Sequence, residues 1–313
     1  MIDEADRRTV ASEEWPALPL DEWADTYATL HMWTQIIGKI RLARAPMVNH
    51  WWQVALYVTA RGLTTGPIPD GQRVFQIDFD FIDHRLAIET STGNRRELPL
   101  ESRPVADFYR DVFAALGALD IDVRIWTRPV EVEQSIPFEQ DRQHATYDPE
   151  HARRLFTVLM HTDRVLKRAR SGFLGKCSPV HFFWGSFDVA FTRFSGRRAP
   201  PHPGGVPNIA DWVVREAYSH ECASCGFWPG GGAVPEAAFY AYAYPEPAGF
   251  KEFPIRPAEA YYTAEMREFV LPYERVRAAA DPERMLLEFF QSTYEAAAER
   301  GGWDRAALEA RRA

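Results

Sequence analysis

Cysteine is scarce in this chain: Cys177, Cys222 and Cys225 are the only three among 313 residues. A small, odd number cannot build a disulfide framework, which points to a reducing compartment. Long apolar runs are lacking, and none approaches the length needed to span a bilayer. The opening MIDEADRRTVASEEW has no apolar stretch of the secretory-signal kind. These features predict a cytoplasmic protein without a membrane partner. Positive charge is not in excess: the formal net charge is −8 and the pI about 5.7. Without a basic field, nucleic-acid binding is set aside. The cluster Arg164, Lys167, Arg168 and Arg170 reads as a solvated helix face. No GxSxG, HExxH, GxGxxG or DxDxDG motif occurs, so the familiar enzyme signatures give no support.

Aromatic residues are abundant: ten Trp, twelve Tyr and twenty Phe. They predict a large aromatic core, with room for an aromatic-lined pocket. They are also patterned. His50 opens HWWQVALYVTARGLTTGPIP and His181 opens HFFWGSFDVAFTRFSGRRAPP. Aligned at the histidines, Trp51 meets Phe182, Leu56 meets Phe187, Val58 meets Val189 and Pro69 meets Pro200. Each segment follows a helix-like stretch carrying its own histidine, His31 or His161. The expected fold is α+β, with two similar helix–antiparallel-sheet halves, an internal duplication being one explanation of the likeness.

The element reading follows. Residues 1–14 are a mobile tail. Residues 15–126 form the first half, 127–147 a connector, 148–303 the second half and 304–313 a C-terminal tail. A helix starts near Asp21, with Trp23, Tyr27, Leu30, Ile37 and Ile40 on one face, and Pro46 blocks it. Gln53 to Leu63 reads as a buried strand. FQIDFDF alternates strictly from Phe75 to Phe81 and pairs with Arg85–Glu89. A helix spans about Val105 to Leu119, and Ile121–Trp126 reads as a short strand. Asp148-Pro149 and Asp281-Pro282 are helix starts, a capping aspartate before a proline. Val180 to Phe194 reads as the second long strand. Asp211–Glu216 is a short helix, with strand-like pieces at Ala217–Cys225, Phe239–Tyr244 and Glu268–Leu271.

Candidate chemistry sits on polar groups embedded in the aromatic segments. His31, His50, His181 and His220 are candidate acid–base groups, and imidazoles also suit a divalent metal. Asp188 lies inside an aromatic strand, so it must be paired, raised in pKa or turned to solvent. Glu221 is a further candidate base. Arg61, Arg193 and Arg197 lie at the ends of the repeated strands and can clamp an anion. His220-x-Cys222-x-x-Cys225 lacks the partner pair that a zinc ribbon requires. GFWPGGG (226–232) has no following Lys-Ser/Thr, so it is no phosphate loop; it reads as a mobile loop with Trp228 as an aromatic tip over a pocket.

The runs LHMWTQIIGKIRL, FQIDFDFIDH, GKCSPVHFFWGSFDVAFTRFSGRRAPPHPGG and AYSHECASCGFWPGGG are specific. They resemble an uncharacterised, mainly bacterial family known only as a domain of unknown function, from about Trp15 to Trp303. The resemblance implies one family unit and carries over no activity, cofactor or site. The residues therefore set the expectation. It is an enzyme acting on a small anionic or aromatic molecule by His/carboxylate acid–base or metal-assisted chemistry. The alternative is a non-catalytic small-molecule-binding protein with an aromatic-lined pocket. Substrate, reaction and oligomeric state are not specified.

Overall fold

The computed structural model describes residues 14–310. Residues 1–13, nearly all of the stretch read as a mobile tail, lie outside the described residues, as do 311–313. Helix α1 (Leu20–Arg44) is the centrepiece. The sequence predicts a one-sided apolar stripe, but every residue from Met32 to Ile40 is buried, including Thr34, Gln35 and Lys39. A helix buried around its whole circumference lies in the interior, and its few polar side chains must find partners there. Gly38 in its middle costs about 1 kcal/mol of helix propensity relative to alanine. Its role is steric: a Cβ there would lie 2.2 Å from the Trp184 ring. Trp184 thus lies flat on the helix, pinned by its indole N–H to the Val54 carbonyl at 2.8 Å.

Two antiparallel six-stranded sheets follow. The first contains β1 (Tyr57–Val58), β2 (Gly62–Thr64), β3 (Ile68–Asp70), β4 (Arg73–Asp80), β5 (Arg85–Thr90) and β6 (Arg95–Pro99), in the order β1-β2-β4-β5-β6 with β3 also on β4. As the alternation predicts, Phe75, Ile77, Phe79 and Phe81 are all buried. Helix α2 (Val105–Gly117) closes this half. After an irregular connector comes α3 (Pro149–Arg170), whose cap Asp148 accepts the His151 N–H at 3.0 Å. The second sheet contains β7 (His181–Phe183), β8 (Asp188–Arg198), β9 (His220–Trp228), β10 (Ala238–Tyr244), β11 (Tyr261–Thr263) and β12 (Glu268–Pro272). Their order is β11-β12-β10-β9-β8-β7. Short helix α4 (Asp211–Ala217) lies between β8 and β9, and α5 (Tyr273–Arg277) after β12. Helix α6 (Pro282–Arg300) packs on the second sheet; its cap Asp281 accepts the Arg284 N–H at 3.0 Å. Residues 305–308 form α7 (Arg305–Leu308), and the Leu308 carbonyl accepts the Leu174 N–H at 2.7 Å. Helices beside antiparallel sheets make this an α+β fold, as the sequence predicts.

The repeated segments differ from their expected form. Gln53–Leu63 is not one strand. Asn49–Val54 is a 3-10 turn with left-handed backbone at His50 (φ 59°) and Trp51 (φ 61°), followed by the short β1 and β2. Val180–Phe194 is not one strand either. It is the β7–β8 hairpin, turned at Trp184–Phe187, with Phe187 at φ 58°. Ile121–Trp126 joins no sheet. The two segments touch directly. Leu56 and Phe182 exchange backbone hydrogen bonds of 2.9 and 2.8 Å, joining the sheets at the β1 and β7 edges over one continuous core.

Candidate functional site

Strand β10 reads FYAYAY after Ala238, and alternation puts Phe239, Ala241 and Ala243 into the core. Tyr240, Tyr242 and Tyr244 take the other face and stay half-buried. Across the sheet Tyr240 stands opposite Gly226 on β9, and Gly226 opposite Ala190 on β8. A Cβ on Gly226 would lie 2.8 Å from the Tyr240 hydroxyl and 2.4 Å from the Val189 carbonyl. Strands are about 4.8 Å apart, so Tyr240 must cross β9 to reach β8. The glycine lets it cross. Its hydroxyl donates to Asp188 Oδ2, and Ser186 Oγ donates to Oδ1. Trp228 lies two residues beyond Gly226 on β9, on the same face of the strand, and its indole acts on the Tyr27 hydroxyl from α1. Tyr27 packs on Phe187 at 5.0 Å, and Tyr242 bonds the Tyr218 hydroxyl at 2.8 Å.

Two further carboxyls lie close enough to feel the Asp188 charge, and with the half-buried tyrosines they complete a candidate recess on this face of the sheet. Glu131 comes from the connector, at φ 59°, and its tip fills the space beside Gly185, where a Cβ would lie 2.0 Å from Oε1. The residue as a whole is exposed, while its carboxyl tip packs into that space. Glu268 heads β12 and is half-buried. Burial raises Asp188 to about 6, although the two hydroxyl donors oppose it. Burial, with the Asp188 charge added, raises Glu131 to about 7 and Glu268 to about 8. No lysine or arginine contributes to these shifts. Three carboxyls therefore change protonation near neutrality on an aromatic surface, which is how acid and base roles are divided between like groups.

The sequence-predicted residues split between several places. Asp188 and Trp228 belong to the recess. His31 stands at its edge, bonded to the Gly185 carbonyl at 2.8 Å; burial lowers it to about 4, so it holds the β7–β8 turn as a neutral ring. His50 and His220 form a second cluster, ring centroids 5.6 Å apart. His181 is fully buried 5.9 Å from Trp52, neither ring nitrogen has a partner, and burial drives it down to about 3. Glu221 accepts from Ser195 and Arg197 and borders a cavity of about 260 Å³ with Arg300 and Trp303. That cavity offers a single, already paired carboxylate, so it carries less chemistry than the recess.

The three arginines are engaged elsewhere. Arg61 is exposed and bonds Asp80 and Asp83, each at 2.7 Å. Arg193 is buried against Tyr294 at 4.5 Å and donates to the Ala169 carbonyl at 2.8 Å. Arg197 reaches Glu221 and the Gly301 and Gly302 carbonyls. Trp228 belongs to β9 rather than to the tip of a loop. The thiols of Cys222 and Cys225 are buried and pushed up to about 12. Among the described residues, no group of three or more His, Cys, Asp or Glu side chains could hold a metal.

Glu131, Glu268, Tyr240 and Ser186 were not anticipated. Only Tyr240 had a signal, the tyrosine alternation of β10. A glutamate in an irregular connector has none.

The chain matches a family of unknown function, DUF5996, over residues 15–310, and it belongs to that family. No curated protein and no solved structure matches it. No described helix is long and apolar enough to cross a membrane.

Proposed function

We propose that this member of the family is an enzyme whose recess takes a small aromatic molecule and moves protons on it with Asp188, Glu131 and Glu268. The carrying observation is the buried Asp188 carboxyl, held by the Ser186 and Tyr240 hydroxyls on the tyrosine face of the sheet, with Glu131 and Glu268 near enough to feel its charge. Asp188, held by Ser186 and Tyr240, is the member ionised first and acts as base. Glu131 and Glu268 retain protons longer and act as acids. The ring faces of Tyr240, Tyr242 and Trp228 supply stacking area. Arg61, Arg193 and Arg197 are committed elsewhere, so the aromatic reading is preferred to the anionic one. Three free thiols, two of them buried, fit a cytoplasmic setting.

The test uses a panel of neutral, cationic and anionic phenols and heteroaromatics, read by thermal shift and by NMR of the ligand. A neutral or cationic member should stabilise the protein by about 2.7 kcal/mol at a hundredfold excess over its Kd. Asp188→Asn should abolish its turnover. Binding confined to anions, or turnover untouched by Asp188→Asn, would overturn the proposal. Binding without turnover would leave the non-catalytic alternative.

A further inference from the structure

The chain has four lysines: Lys39, Lys167, Lys176 and Lys251. Lys167 and Lys251 are exposed and face carboxylates, Asp163 at 2.6 Å and Glu252 at 3.8 Å. Lys39 is buried near the Trp126 and Trp184 rings, at 4.8 and 5.8 Å. Lys176 is different again. Its Nζ lies 2.7 Å from His50 Nε2, over the rings of Trp52 and Phe194 at 5.4 and 5.1 Å, and it remains open to solvent.

The protonation of His50 follows from its other nitrogen. Nδ1 lies 3.0 Å from the Ala217 carbonyl oxygen, which can only accept. Nδ1 therefore carries the proton, and Nε2 turns its lone pair to Lys176. An amine with a proton acceptor already in contact is an activated nucleophile. Burial acts in the same direction, lowering both Lys176 and His50.

The backbone was strained to build this contact. His50 and Trp51 are successive non-glycine residues in the left-handed region, a sparsely populated conformation that the surrounding structure must hold. Contacts from α4 hold them: the Glu216 carboxylate accepts the His50 N–H at 3.4 Å, and Trp212 packs on Trp51 at 5.3 Å. Across Trp52, the buried His181 ring with two unpartnered nitrogens is a second polar group awaiting a partner.

We propose that Lys176 and His50 form a second site, separate from the carboxyl recess, in which Lys176 captures a small aldehyde or ketone as a Schiff base against Trp52 and Phe194. His50 Nε2 takes a proton from the ammonium. The freed nitrogen pair forms the C–N bond, and the carbonyl π pair moves to oxygen, which takes the proton back from His50. The carbinolamine nitrogen then expels that oxygen as water, its second proton again relayed by His50 from nitrogen to hydroxyl. Ammonium plus carbonyl gives protonated imine plus one water, with no change of oxidation state.

The experiment treats the intact protein at neutral pH with benzaldehyde and cyanoborohydride and maps the four lysines by peptide mass. Lys176 should be benzylated at least about tenfold faster than Lys167 and Lys251, because of these three only Lys176 has a neutral proton acceptor in contact. His50→Asn, a residue that tolerates left-handed backbone, should bring Lys176 down to their rate and leave Lys39 unchanged. Equal rates at Lys176 and Lys251 in the unaltered protein would overturn the proposal, and so would Lys39 reacting fastest. The native measurement decides by itself if the variant does not fold.

Discussion

The two ends of the β8 face make an instructive contrast. At the Asp188 end, acids sit under phenols and an indole; at the Phe194 end, bases sit against indole and phenyl rings. Burial moves the two sets in opposite directions, acids up and bases down, because in each case it disfavours the charged form. The acid end is thereby brought toward partial protonation in the neutral range, while the base end is biased toward its neutral forms. The difference lies in how each is built. The acid end depends on glycines that clear space in a regular sheet; the base end depends on strained backbone in a turn.

The contrast is most easily broken at Gly226. Gly226→Ala would set a methyl group 2.4 Å from the Val189 carbonyl and 2.8 Å from the Tyr240 hydroxyl. Overpacking of this kind costs about 1–3 kcal/mol. Urea unfolding should show that loss, and Lys176 labelling should not change. A neutral effect would mean that Tyr240 does not cross β9 as described.

Acidity sharpens it next. Asp188 rises from 3.8 to about 6, Glu131 from 4.5 to about 7 and Glu268 from 4.5 to about 8. For raised acids, the native state binds more protons than the unfolded chain between those values. Their stability contribution is complete below the lower values and is lost as pH climbs through the upper ones. His31 and His181 fall from 6.5 to about 4 and about 3, so below 6.5 it is the unfolded chain that binds the extra proton. Their contribution grows up to pH 6.5 and is constant above it. The slopes oppose below pH 6.5, and the acids act alone from there to about 8. The melting temperature should fall across that upper window, and Glu268→Gln should flatten the fall. A native profile that stays level would count against the raised acids.

The smallest effect is expected at His181. Its orphan nitrogens are fully buried, and an unmet polar group is best replaced by an apolar one of similar shape. His181→Leu should raise stability by about 1 kcal/mol in chemical denaturation. A loss of that size instead would show that the ring is satisfied by a bound water or ligand.

Much of the frame was legible in the sequence, and the reasons are local. Asp148-Pro149 and Asp281-Pro282 cap their own helices, and the alternation of β4 states its own buried face. What was hidden depends on distant partners. Nothing around His50 announces left-handed backbone, because Glu216 and Trp212 hold it from far along the chain. Trp184–Phe187 reads as continuous strand, because only Glu131 and His31 reveal why Gly185 must turn. Glu131 and Glu268 gain their character first from burial and then from the Asp188 charge, both set by distant partners, so neither stands out alone. Arg193 looked like an anion clamp, but alternation along β8 turns it to the opposite side from Asp188.

The seat that Gly38 makes for Trp184 also has a consequence during synthesis. The ribosome must add 146 residues (184 − 38) after the seat before its occupant exists. At about 5–20 residues per second, that is a wait of roughly 7–30 s. For that time the Gly38 face of α1 is finished but lacks its tryptophan cover. One face of an early helix thus stays open while nearly half the chain is made, which leaves that face exposed to aggregation during synthesis.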